Sequence, residues 1–433
     1  MPSTKENIQK KTESFLYIPP HVDFVLDRLT DAGHEAFAVG GCVRDFLRGV
    51  VPHDYDVTTS ARPEQIHAVF ADCRLIDTGI AHGTVTVLVD GEPIEVTTYR
   101  IDGDYRDSRH PESVSFTDDI EKDLARRDFT MNAIAYSPLR AFCDPFGGRE
   151  DIAAGVIRAV GDPYARFRED ALRILRALRF SAVLDFGIEE ETSHAALALC
   201  PLLLHISPER VRVELTKLLS GVAAPRVLLA YVEIFKTLLP AWGQAASKWD
   251  LTALAAVLSD LPSDPILRLA AFLLPLSDTD QGRKAAHALL TDLRFDNRTR
   301  DRVVKLLSHL SDPYEGEGAV LRRFLAGLGR EDALLMLALH RGMAEAASAP
   351  PPALSSIEKA REGVLKILES GACLTMAELA LRGDDLIREG YAPGRRLGEI
   401  LRALFDAVLD GACPNDAAAL LAYAKNHFPP QSK

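Results

Sequence analysis

The chain lacks the long apolar run that a membrane-spanning helix requires: no stretch approaches ~20 uncharged apolar residues. Cysteine is sparse as well. The six cysteines (Cys42, Cys73, Cys143, Cys200, Cys373 and Cys413) are scattered, and no two form a C-x-x-C pair. That spacing argues against a zinc site or a disulfide framework and fits a reducing compartment, so a cytoplasmic location is expected. The first residues, MPSTKENIQKKTESF, have no apolar core and do not read as a secretory signal. Positive charge is also short: 50 Lys and Arg against 62 Asp and Glu give a formal charge of −12. A surface that is basic throughout, of the kind that binds polyanions without discrimination, is therefore excluded.

What the chain does have is length and apolar content: 433 residues, 47% hydrophobic, are enough for several cores. Up to about residue 150, short runs rich in Val, Thr and Ile alternate with brief helical patterns. EAFAVGG, HDYDVTT, CRLID, GTVTVLV and PIEVTTYR read as strands. PHVDFVLDRLTDAG and RPEQIHAVFAD read as helices that begin near a proline. Asp90-Gly91 predicts a hairpin turn. From about residue 160 the apolar period becomes 3.6, and Ser207-Pro208-Glu209 predicts a helix start with the serine as cap. The fold class expected is α+β: a head with a small, mainly five-stranded sheet, followed by an all-α remainder. Residues 311–319 and 344–356 are rich in breakers or small residues and read as linkers.

The stretch GGCVRDFLRGVVPHDYDVTTS, residues 40–60, carries the first chemistry. Asp54 and Asp56 are one residue apart, which on a strand places both carboxylates on one face. Such a pair repels unless a cation lies between, and carboxylate oxygens are ligands for a hard divalent metal. Gly40-Gly41 precedes a short helix, where free N–H groups can meet phosphate, and Arg44 adds a fork-shaped phosphate contact. Asp45 is better placed to pair with a neighbouring arginine.

GGCVRDFLRG followed by HDYDVTTSA resembles the signature of the class II tRNA nucleotidyltransferase and bacterial poly(A) polymerase family, a branch of the polymerase-β-like nucleotidyltransferases. DLARRDFTMNAIAY (123–136), CDPFGGREDI (143–152), RFREDALRILRALRF (166–180) and ISPERVRVELTKLL (206–219) are similar to its later motifs, in order. The resemblance implies a head at residues 1–155, a helical neck with a nucleotide-selecting helix at 156–220, a body at 221–345 and a tRNA-contacting tail at 355–433. It implies template-independent addition of CCA to the tRNA 3′ end from CTP and ATP by two-metal nucleotidyl transfer, with release of pyrophosphate and Mg²⁺ as cofactor. Asp54 and Asp56 would be the metal carboxylates, and Gly41 and Arg44 would meet the triphosphate. Glu95 is either a third acid beside the metals or a strand glutamate paired with a base such as Arg100.

Asp170, Arg173, Arg176 and Arg179 are spaced three apart, a ridge on one helix. A carboxylate beside a guanidinium offers acceptor and donors together, which imitates a base's pairing edge. By the resemblance, Glu169, Asp170 and Arg173 form the protein template that selects CTP or ATP. Arg126, Arg127, Arg176 and Arg179 would bind triphosphate or steady that template. Residues 158–182 hold six arginines against three acids, so a basic strip is expected there to carry the RNA. The polar segment 99–119 is expected to be a surface loop, matching in place the family loop tied to the final A. The glycine-rich run 382–411 is either a phosphate-backbone grip or a helix–turn–helix packing unit. No adjacent His-Asp pair stands where some relatives carry a phosphohydrolase site, so none is expected. Three other readings share much of this pattern: an A-adding enzyme that needs a CC-adding partner, a poly(A) polymerase, and a non-catalytic RNA-binding descendant.

Overall fold

A computed structural model describes residues 16–103, 114–316 and 318–430. The chain forms two compact units, Met1–Ala223 with Tyr231–Leu238, and Ala224–Ala230 with Leu239–Lys433. In the first unit, helix α1 (Pro20–Asp31) begins with proline at its first position, where the missing N–H costs nothing. Strand β1 (Ala36–Val39), helix α2 (Gly41–Leu47), β2 (Asp56–Thr59) and α3 (Pro63–Val69) follow. Then come β3 (Arg74–Gly79), β4 (Thr84–Val89), β5 (Glu92–Thr98), β6 (Arg100–Asp102), β7 (Val114–Phe116) and α4 (Ile120–Ala125). The turn between β4 and β5 has φ of 53° at Asp90 and 89° at Gly91, the left-handed pair that a two-residue hairpin of this twist demands.

Five expected strands are present, and the sheet is larger than expected. Two short strands, β8 (Ala135–Ser137) and β9 (Ala141–Cys143), extend it to seven in the order β3-β4-β5-β2-β1-β8-β9. At three residues each, they are too short to show an alternating pattern. The β2–β5 pair is parallel and the other neighbours are antiparallel. Alternation sorts the two faces. Val57, Val85, Val87, Ile94 and Val96 pack with Val22, Val25, Leu26 and Leu29 of α1. Each such side chain contributes roughly 1.5–3 kcal/mol on burial. Phe37 and Val39 point the other way, toward Leu124 of α4, Tyr99 and Val160. Asp56 and Thr58 belong to this second face, because they alternate with Val57.

Beyond the sheet stand α5 (Gly148–Ala154), β10 (Val156–Ile157), α6 (Pro163–Glu169), α7 (Leu172–Leu184), β11 (Gly187–Ile188), α8 (Glu190–Leu199) and α9 (Pro208–Leu219). The run 166–180 is thus two helices rather than one. Asp170 breaks the chain between them with φ −142° and ψ 101°, an extended conformation. Helix α9 starts at Pro208 with Ser207 in the cap position, but the serine side chain makes no cap hydrogen bond. Segment 99–119 is not wholly loop, since β6 and β7 pair antiparallel at its flanks; residues 104–113 lie outside the described residues.

The second unit is helical. Trp242 stacks on Phe272 with ring centroids 4.5 Å apart and donates its indole N–H to the Phe272 carbonyl at 2.7 Å. The expected linker at 344–356 is mostly helix: Arg330–Ala346 ends and Pro351–Glu369 begins within it, leaving four residues between. Residues 382–411 form a helix–turn–helix, Gly383–Arg388 and Arg395–Leu409. Leu386, Tyr391, Ile400 and Leu404 share its buried cluster, and Arg395 and Glu399 pair on the outside. Among the described residues no helix is long and apolar enough to cross a membrane.

Candidate active site

Strand register assembles the acids. Asp56 opens β2 and stands directly opposite Glu95 of β5 on one side and Val39 of β1 on the other. Asp54 is not on the strand; it lies in the loop that enters β2. Asp56 has a raised pKa, first from desolvation, then from the charge of Glu95, with Asp54 adding and Arg127 opposing. Among the described residues no three His, Cys, Asp or Glu side chains are grouped closely enough to hold a metal by themselves. The set fits an ion that needs only one or two carboxylates and completes its shell with water and phosphate oxygens.

The glycine turn begins where β1 ends, beside Asp56. Gly40 has φ 77° and ψ −120°, a conformation that L side chains rarely adopt. A Cβ there would lie 3.1 Å from Arg127 Nη1, so the turn is also closely packed. Gly41 opens α2. Arg44, on the same helix, donates Nη1 to Asn132 Oδ1 at 2.8 Å and chelates Asp45 through Nε and Nη2, both at 3.0 Å. Asp45 also pairs with Arg48, as the sequence suggested of it.

A second layer of arginines lies around Phe180 of α7. The guanidinium carbons of Arg179, Arg44 and Arg176 stand 3.7, 5.2 and 5.4 Å from its ring centroid. Arg176 Nε donates to Asp128 Oδ2 at 2.8 Å, and Asp128 Oδ1 takes the Asn132 amide at 3.0 Å. Burial works against ionisation of Asp128, yet Arg176 and Asn132 hold its pKa down at about 2. The same Asp128 charge raises Arg176. Burial lowers Arg179, which lies 2.7 Å from Glu214 Oε2 of α9 without hydrogen-bond alignment. Burial likewise lowers Arg127, whose Nε has no hydrogen-bond partner. Guanidinium groups whose nitrogens are partly unsatisfied are suited to a polyanionic ligand.

Asp170 and Arg173 are close in sequence but not paired. Asp170 Oδ2 accepts from Arg210 Nη2 at 2.6 Å, and its Oδ1 accepts the Leu172 N–H. Arg173, only 8% exposed, donates to Glu169 Oε2 at 2.7 Å and to the carbonyls of Arg166 and Arg126. Arg126 itself is held by Asp123. The expected basic strip is largely neutralised: Arg158 meets Asp151 and Glu189, Arg166 meets Glu169, and Arg176 and Arg179 meet Asp128 and Glu214. Local charge counting missed this because four of these five acids come from outside the window.

Sequence reasoning passed over Asp128, Asn132, Phe180 and Glu214, which order the arginines. A signal existed for Glu214, an acid in the apolar stripe of Val211, Leu215 and Leu218 on α9. A buried acid at such a position requires a partner.

The seven-stranded head with acids on its central strands is that of a nucleotidyltransferase. Residues 36–158 match the family model "Poly A polymerase head domain", 185–245 the model "Probable RNA and SrmB- binding site of polymerase A", and 269–424 the model "tRNA nucleotidyltransferase domain 2 putative". The CCA-adding enzyme of Leuconostoc mesenteroides subsp. mesenteroides is 37% identical over 411 residues, covering 94% of this chain and 96% of that one. The Geobacillus stearothermophilus CCA-adding enzyme is 38% identical, covering 92% and 95%. The crystal structure of the Bacillus stearothermophilus CCA-adding enzyme in complex with CTP superposes with TM-score 0.78 at 32% identity, covering 94% of this chain and 98% of that one. The chain belongs to the CCA-adding enzyme family. Enzymes of this nucleotidyltransferase class work with a divalent metal ion.

Proposed function

We propose that this protein adds C, C and A in turn to the 3′ end of tRNA, using CTP and ATP and releasing pyrophosphate. The observation that carries the reading is full-length likeness to CCA-adding enzymes, combined with Asp56 and Glu95 in register beside a glycine turn. The tRNA 3′ oxygen forms a bond to the α-phosphorus as the bond from that phosphorus to the β-bridging oxygen breaks. The hydroxyl proton passes to solvent. Asp54 and Asp56 would hold the divalent ion, taken here as Mg²⁺, which supplies charge neutralisation and lowers the pKa of the attacking hydroxyl. Gly41 and Arg44, with Arg126 and Arg127, receive the triphosphate. Asp170 and Arg173 read the base, which requires that they leave Arg210 and Glu169. Arg176 and Arg179 hold the wall behind them. On this reading residues 1–155 are the catalytic head, 156–220 the neck, 221–345 the body and 355–433 the tail that meets tRNA, and the enzyme works in the cytoplasm.

Primer extension on a tRNA transcript lacking its last three nucleotides tests this, with CTP alone, ATP alone and both. Two C additions, then one A and a stop, are expected. Extension only of a transcript already ending in CC would make this an A-adding enzyme, and a long ladder with ATP alone a poly(A) polymerase.

A further inference from the structure

One carboxylate in the head has more partners than its place in the sequence suggests. Asp123, on α4, is completely buried. Its Oδ1 accepts from Arg126 Nε and Nη2 at 3.0 and 2.8 Å and from the Arg100 backbone N–H at 3.2 Å. Its Oδ2 lies 3.3 Å from Thr58 Oγ1, whose single proton is shared with the Thr97 carbonyl at 3.2 Å, and 3.6 Å from Arg127 Nη2. These contacts use the acceptor capacity of an ionised carboxylate.

The partners belong to the parts that the nucleotide site needs together. Thr58 is two residues after Asp56 on the same face of β2. Arg100 is the first residue of β6, at the root of the β6–β7 pair. Arg126 and Arg127 are consecutive cations that repel one another, and the Arg127 guanidinium packs against the Gly40 turn. A charge buried only for packing is poorly chosen, because well-packed apolar side chains do as well at lower desolvation cost. Asp123 instead holds Arg127 by one edge and leaves its Nε without a partner.

We propose that Asp123 is a positioning residue that fixes the Arg126–Arg127 pair against the acid-bearing strand, so that both guanidiniums face an incoming triphosphate already oriented. The proposal rests on the nucleotide-binding reading of that pair. Asp123 touches no substrate; it acts through the arginines.

The test compares wild type, Asp123→Asn, Arg127→Lys and the double variant by calorimetric titration with CTP and with ATP and by steady-state extension. Asp123→Asn keeps the side-chain shape and removes the charge. Its dissociation constants and KM for both nucleotides should rise about tenfold, with kcat falling less than about threefold. The double variant should lose less than the sum of the two single losses, because both changes act on the Arg127 guanidinium while Asp123→Asn also frees Arg126. Unchanged nucleotide binding in a folded Asp123→Asn protein overturns the proposal, as do additive losses in the double variant. If Asp123→Asn fails to fold, Thr58→Val removes one anchor of the carboxylate, and a KM rise of about two- to threefold is expected. An unchanged KM in that variant overturns the proposal. Titration and extension separate the two readings: wild type that binds CTP but extends no tRNA refutes the function while leaving the role of Asp123 to be decided by binding.

Discussion

Asp56 and Glu95 face one another in register across the parallel strand pair β2–β5. Desolvation first, and then the negative charge of Glu95 with Asp54 adding to it, raises the Asp56 pKa, and the three acids create a local demand for a cation. The acids are not equivalent. Asp56 is fixed by the sheet, Asp54 comes from the preceding loop, and Glu95 stands one strand away. Asp54→Ala or Asp56→Ala should therefore reduce extension below detection while leaving thermal melting unchanged within a few degrees. Glu95→Gln, which removes the charge beside Asp56 while keeping the side-chain shape, should lower kcat by about 10–100-fold. Wild-type turnover in either aspartate variant refutes the metal assignment.

Gly40 gives a backbone test of the same site. With φ 77° and ψ −120°, and with Arg127 Nη1 3.1 Å from a built Cβ, alanine is both strained and crowded there. Gly40→Ala should cost roughly 1–3 kcal/mol of stability and displace Arg127. Raised KM for CTP and ATP should accompany the lower melting temperature. A fully stable variant with unchanged KM would mean that the turn relaxes without touching the arginine.

Base selection is tested at Asp170 and Arg173. Asp170→Ala and Arg173→Ala should each reduce the CTP/ATP discrimination ratio, measured as kcat/KM on a transcript ending in a discriminator base, by about tenfold or more. Arg173→Ala should also destabilise the fold by roughly 1–3 kcal/mol, since it strands the carbonyls of Arg126 and Arg166. Asp170→Ala should not do so to the same degree, because Asp170 is partly exposed. Unchanged discrimination in both returns this segment to a purely structural role.

The head was legible where local chemistry decides. Prolines marked the starts of α1 and α3, β-branched runs marked β2, β4 and β5, and Asp90-Gly91 marked the hairpin. Strands β8 and β9 were not legible, because at three residues each they exist only by pairing with neighbours distant in sequence. The break at Asp170 was invisible for a related reason. The residues around it keep helical spacing, and the extended backbone is stabilised by Arg210, forty positions away. Site residues were readable by type, as carboxylates, glycines and arginines. Their pairing was not, because Asp128 and Glu214 reach Arg176 and Arg179 only through the fold. A +3 stretch of sequence became a nearly neutral wall for that reason.

Asp128 links this wall to pH. Held at about 2 against an ordinary carboxylate value of 3.8, its folded-state pKa is depressed despite burial, through Arg176 and Asn132. A depressed folded value means that the native state prefers the ionised form, so the stabilisation is complete above about pH 5 and fades as pH falls through 3.8 toward 2. The magnitude is roughly 2.5 kcal/mol at neutral pH. Asp128→Asn, which cannot ionise, should therefore melt at lower temperature than wild type at pH 7, by a gap that holds down to about pH 5. Below that the two melting temperatures should converge as wild-type Asp128 takes up its proton. Thermal unfolding followed by circular dichroism at a series of pH values measures the gap directly. A gap that is independent of pH from 7 to 2 would mean that the Asp128–Arg176 pair contributes through shape and hydrogen bonding alone, not through charge.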